Sequence, residues 1–130
     1  MSFSSLYYQN LVKSALQPPD WIFAPVWSVL YFLMFISFIL ILDKKGKIKT
    51  WAITFFILQL IVNFLWPYIF FGLNEIKIAL FILVLLIILV ITTAVLFFKL
   101  SKISGLLFIP YILWSIFALF LNYEIVILNP

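Results

Sequence analysis

Between Ile57 and Gly72 the chain reads ILQLIVNFLWPYIFFG, apolar enough to enter a bilayer yet interrupted by Gln59, Asn63 and Trp66 at i, i+4 and i+7. These three positions share one face of a helix. An amide in hydrocarbon without a partner costs several kcal/mol, so that face must turn toward other helices or a cavity. Pro67, directly after Trp66, removes a backbone N–H and releases the Asn63 carbonyl, which loosens the last turn where this polar and aromatic seam widens. The pattern predicts one wall of a small-molecule pocket.

The rest of the chain supports a membrane setting. With 68% hydrophobic and only 9% charged residues, the 130-residue sequence lies outside soluble globular composition and has room for one small bundle. All basic residues are lysines outside the long apolar runs, so the net charge of +4 reads as an orientation signal and no nucleic-acid partner is expected. Cysteine and histidine are absent. That excludes disulfides, the usual zinc ligand sets, haem ligation through His or Cys, and imidazole acid–base chemistry. No nucleophile, phosphate-loop or metal motif is present, so neither a catalytic residue nor a metal ligand is predicted.

We therefore expect an all-α integral membrane protein, a four-transmembrane-helix bundle forming one domain over residues 1–130. Its spans fall at about 21–42, 50–71, 76–98 and 106–128. Residues 1–20 stay outside the hydrocarbon; Leu6, Leu11, Val12, Ala15 and the tyrosines suit either a helix in the headgroup layer or an irregular tail. Asp20 is the expected N-cap of the first span, on which Ala24, Trp27, Ser28 and Tyr31 share an arc. Headgroup anchoring competes with cavity lining as the role of Trp21 and Trp27. Asp43 to Lys49 reads as a basic loop, and Lys99, Ser101, Lys102, Ser104 and Gly105 as another. The third span, Leu, Ile and Val nearly all round, is expected to be the most lipid-exposed. On the fourth span Pro110, Trp114, Ala118 and Asn122 recur every four residues and trace a slowly winding stripe. Asn122 is expected to pair with Asn63, either as amide glue between helices or as part of a ligand site.

Six lysines on the first and third loops against Lys13 and Lys77 elsewhere predict a multi-pass protein with both termini, and the pocket mouth, on the non-cytoplasmic side. Small four-helix multidrug exporters need an acid within the first span, and none lies between Asp20 and Asp43. Glu124, the one acid in a predicted span, sits near a helix end where it can reach water.

Three separated runs resemble one family. Pro18-Pro19-Asp20-Trp21-Ile22-Phe23-Ala24-Pro25-Val26-Trp27 leads to Leu30-Tyr31; Gln59-Leu60 with Asn63 leads through Trp66-Pro67 to Phe70-Phe71-Gly72; and Pro110-Tyr111 is followed by Trp114, Phe117-Ala118 and Leu121-Asn122. Together they resemble the TspO/MBR family of tryptophan-rich sensory and translocator proteins, from about residue 7 onward. The resemblance implies a TspO-like five-helix fold, often dimeric, that binds tetrapyrroles such as protoporphyrin IX for sensing or transport, and in animals cholesterol and synthetic drugs. It places Phe23, Ala24, Val26, Trp27, Asn63, Trp66, Tyr111, Trp114, Ala118 and Asn122 at the ligand, with no required cofactor and a homodimer as a further expectation. Photo-oxidative porphyrin degradation, reported for some members, would rest here on Trp27, Trp66 and Trp114.

Three departures stand out. The family's first helix has no counterpart, because residues 1–17 match its first long loop; four spans are therefore expected, with one pocket wall either missing, encoded ahead of a misplaced start, or supplied by another subunit. Tyr123 is followed by Glu124 and by no basic residue, which disfavours the family's sterol pattern. Leu16 stands where the family often has a tryptophan. The alternative to a ligand-binding protein is a shortened structural bundle whose seam is filled by its own side chains.

Overall fold

The computed structural model describes residues 11–13 and 18–129. Every regular element among them is a helix: α1 (Asp20–Leu40), α2 (Lys47–Pro67) continuing into a π-helical turn (Tyr68–Gly72), α3 (Ile76–Leu100), α4 (Lys102–Leu106) and α5 (Ile109–Leu128). Four stretches are long and apolar enough to cross a membrane: Trp21–Leu40, Lys47–Gly72, Ile76–Leu100 and Lys102–Leu128. Large apolar side chains such as Phe32 (65% exposed) and Phe81 (74%) point outward, an arrangement that only acyl chains would solvate favourably.

Helix boundaries differ from expectation where short polar segments turn out to be helical. The expected basic loop is shorter, because Lys47 and Lys49 lie in the first turn of α2. Gly46, at φ 106°, makes the bend that permits this. Lys49 Nζ then donates to the Leu42 carbonyl at 2.6 Å, placing a cation on a carbonyl just past the C-terminal end of α1. At the other basic connection only Ser101 separates α3 from α4. Its hydroxyl accepts from the Ser104 amide and caps the new helix. The fourth span is therefore two helices in tandem. Pro110 has no N–H to offer the Leu106 carbonyl, and the chain shifts to a tighter turn there, with Phe108 N donating to Gly105 O at 3.1 Å. Asp20 opens α1, and Pro19 occupies the cap position.

The third span is not the most lipid-exposed, as expected, but the central one. Ile76, Ala79, Leu83, Leu86, Val90, Thr93, Ala94 and Phe97 form a buried stripe along α3, against which α2, α4 and α5 all pack. At its lysine-rich end α3 meets α4 so closely that a Cβ on Gly105 would lie 2.4 Å from Phe98 Cβ and 2.6 Å from Phe98 Cα. Beside that contact Ser37 of α1 and Ser104 of α4 are buried together, each hydroxyl donating to the other residue's carbonyl at 2.6 Å. This end of the bundle is stitched tightly.

The opposite end carries both ends of the described chain. Asn129 accepts from Val12 N at 2.9 Å and donates to Val12 O at 2.7 Å, fastening residues 11–13 beside the end of α5. Leu11 packs there against the cluster of Ile69, Phe70, Ile76, Ala79 and Ile125. Residues 11–13 are not helical; the rest of the expected headgroup-layer segment lies outside the described residues.

Candidate functional site

The site grows from the amide face of α2. Gln59 and Asn63 are buried, as the cost of showing an amide to lipid requires, and both meet α5 at a single phenol. Tyr111 donates to Gln59 Oε1 at 2.8 Å and accepts from Asn63 Nδ2 at 2.8 Å. From α1, Tyr31 donates to Asn63 Oδ1. Gln59 Nε2 completes the relay by donating to Met34 Sδ at 3.3 Å. Donors and acceptors alternate in one direction from Tyr31 to Met34, so α1, α2 and α5 are tied at one level by groups that leave none of these amide atoms stranded.

Beyond Asn63 the helix widens. Leu73 N donates to Tyr68 O at 3.0 Å, the five-residue step of a π turn, directly after Pro67. The extra width brings Phe70 and Phe71 alongside Trp66, with ring centroids 5.2 and 6.0 Å from the indole. Trp66 Nε1 donates to Asn122 Oδ1 at 3.0 Å, and Asn122 Nδ2 donates to the Ile76 carbonyl at 3.1 Å. The expected Asn63–Asn122 pair is therefore absent. Each amide has nearer partners, Tyr111 and Tyr31 for one, Trp66 and the start of α3 for the other.

Between these two polar clusters lies a recess lined by Phe23, Trp27, Trp66, Trp114, Ala118 and Asn122, together with Phe70, Phe71, Leu121 and Ile125. The space open inside it is about 40 Å³, and about 420 Å³ of unfilled volume lies within its walls and open mouth together. The interior alone holds about one or two waters. Trp27 is buried and edge-on to Tyr111 at 6.2 Å, which joins the recess to the relay. Trp114 packs on Phe23 at 5.8 Å. Its indole N–H is buried without a hydrogen-bond partner among the described residues, as is the Ser115 hydroxyl.

Six of the ten sequence-predicted positions thus line the recess. Asn63 and Tyr111 lie one layer deeper in the relay. Ala24 is exposed and off the recess, and Val26 lines a groove on the lipid side between α1 and α5. Trp21, 73% exposed, fits the anchoring role. Sequence reasoning missed Phe70, Phe71, Leu121 and Ile125. The last two continue Ala118 and Asn122 at helical spacing, and that stripe could have found them.

The sequence matches the TspO/MBR family over residues 1–128. The chain belongs to the TspO/MBR family. It is 39% identical over 126 residues to protein CrtK of Rhodobacter capsulatus, covering 95% of this chain and 79% of that one. To the tryptophan-rich protein TspO of Chlorobaculum tepidum it is 38% identical over 130 residues, 98% and 82% of the two chains. To the human translocator protein it is 32% identical over 120 residues, 90% and 71% respectively. This TspO/MBR protein is accordingly an integral multi-pass membrane protein, its four apolar spans in contact with a lipid bilayer.

Proposed function

We propose that this TspO/MBR protein binds a flat, hydrophobic small molecule of the tetrapyrrole class in the recess between α1, α2 and α5, for sensing or transport. The observation that carries the reading is the convergence of Trp27, Trp66 and Trp114 on one recess whose remaining walls are Phe and aliphatic groups around a single amide, Asn122. Indole faces stack on extended π systems, and a few fixed polar groups among apolar walls set orientation. Names given to relatives, tryptophan-rich sensory protein and translocator protein, agree with a ligand-responsive or ligand-carrying role. The lysine distribution supports a mouth on the non-cytoplasmic side. A homodimer is part of the same reading, carried by the family resemblance alone.

The interior volume sets a condition. Pockets for ligands of this size run to about 300–1,000 Å³, so the walls of the 40 Å³ recess must part for a tetrapyrrole to enter. The same small volume favours the rival reading, a bundle filled by its own side chains. Titrating protoporphyrin IX into detergent-solubilised protein while following tryptophan fluorescence separates them. Saturable quenching is expected, with Kd raised about 5-fold in Trp66→Leu, the loss of one stacked ring of about 1 kcal/mol. Absence of quenching, or identical curves for wild type and variant, would leave the filled bundle standing.

A further inference from the structure

On the lipid side of the bundle, α1 and α5 leave a groove of about 560 Å³ lined by Pro25, Val26, Val29, Pro110, Leu113 and Phe117 among others. Trp114 belongs to this groove and to the recess alike. We propose that the groove is an outer ligand subsite, through which a flat molecule dissolved in the bilayer loads the recess sideways, with Trp114 as the movable wall between the two. This rests on the recess being a ligand site.

Several features single out that wall. Trp66, across the recess, is held by its hydrogen bond to Asn122. Trp114 has no such tether, because its buried N–H has no partner among the described residues; it rests by packing alone, with the rings of Phe23 and Phe117 at 5.8 and 5.4 Å. Swinging the indole breaks no hydrogen bond of its N–H. In the apolar groove, as in its present place, the N–H has no acceptor, so the swing costs it nothing in hydrogen bonding. An incoming ligand that carries a carbonyl or carboxylate oxygen supplies the missing acceptor.

The backbones on either side can yield. Phe23 against Trp114 and Trp27 against Tyr111 align the first half of α1 with the first half of α5, so Pro25 and Pro110 flank the same opening. Each proline lacks the N–H that would bond the preceding turn, which softens its helix there. At the end of the bundle Leu11 packs against the cluster that contains Phe70 and Ile125 of the recess wall, and Val12 is fastened by Asn129. A molecule partitioned in hydrocarbon meets the groove first.

The absence of cysteine makes the test clean. Val29 and Leu113 are 57% and 62% exposed, so Val29→Cys with Leu113→Cys leaves the packing intact and allows a short bismaleimide to bridge the groove. Proteoliposomes are mixed with vesicles preloaded with protoporphyrin IX, and the rate of tryptophan quenching is read before and after cross-linking of the same double variant. We expect uptake to slow at least tenfold on cross-linking, with the final quenching amplitude kept. Leu113→Trp, which fills the groove without a linker, should slow uptake in the same sense. Uptake at the same rate after cross-linking and in Leu113→Trp would overturn the lateral route while leaving the recess as a site. No quenching in wild type, at any time, would overturn the ligand site itself and the groove with it.

Discussion

Tyr111→Phe removes one oxygen atom and is expected to lower bundle stability by about 2 kcal/mol, from two side-chain hydrogen bonds at roughly 0.6–1.7 kcal/mol each in a membrane interior. The phenol stands between Gln59 Oε1 and Asn63 Nδ2 and is buried with them. Its loss strands an acceptor and a donor where no water reaches, and the ring itself stays in place. Reversible unfolding in mixed detergent micelles would measure the cost. The informative comparison is Tyr111→Phe combined with Gln59→Leu: removing both ends of a buried bond is far less costly than removing one, so the double variant should recover part of the loss. If Tyr111→Phe unfolds with wild type, the relay is not what ties α1, α2 and α5 together.

Gly105→Ala should be about as damaging for an unrelated reason. Alanine is the better helix former by about 1 kcal/mol, so propensity alone predicts a gain within α4. Against it stand Phe98 Cβ at 2.4 Å and Phe98 Cα at 2.6 Å from the new methyl. Backbone of α3 cannot retreat as the tip of a flexible side chain can, and overpacking of this kind costs typically about 1–3 kcal/mol, occasionally more. Steric exclusion wins, with a net loss of about 2 kcal/mol. Gly72→Ala is the control, because its Cβ would meet Tyr68 Cδ2 at 3.4 Å, an ordinary contact. Equal thermal midpoints for the two variants would show that α3 and α4 are not packed as described.

What the sequence disclosed follows from what hydrocarbon penalises. Polar groups are expensive there, so Gln59, Asn63 and Asn122 could be turned inward from spacing alone, and all three are buried. Four apolar runs of spanning length made an all-helical membrane bundle readable without a template. Apolar residues carry no such signal, because lipid and protein interior are equally hospitable to leucine. For that reason the buried stripe of α3 carries no signal among residues that are apolar all round, and composition points to the periphery for the helix against which α2, α4 and α5 pack. Composition is a poor guide to short connections: Lys47, Lys49 and Lys102 look like loop residues, yet each lies in the first turn of a helix. Partner choice among amides was likewise beyond spacing. Asn63 and Asn122 lie on facing stripes, but a phenol and an indole stand closer to them than they do to each other.

The break at Pro110 divides the fourth span into pieces with unequal attachments. The short piece before it is pinned by the Ser37–Ser104 pair and by the Gly105–Phe98 contact. The longer piece after it is tied by side-chain hydrogen bonds at Tyr111, Asn122 and Asn129 and carries Trp114 between the first two. Fastenings are therefore spaced along the molecule like rungs, with a wide gap between Tyr111 and Asn122. Cargo pressing on α5 would bend it in that gap, beside Trp114, and leave both the lysine-bearing base and the Val12 end still.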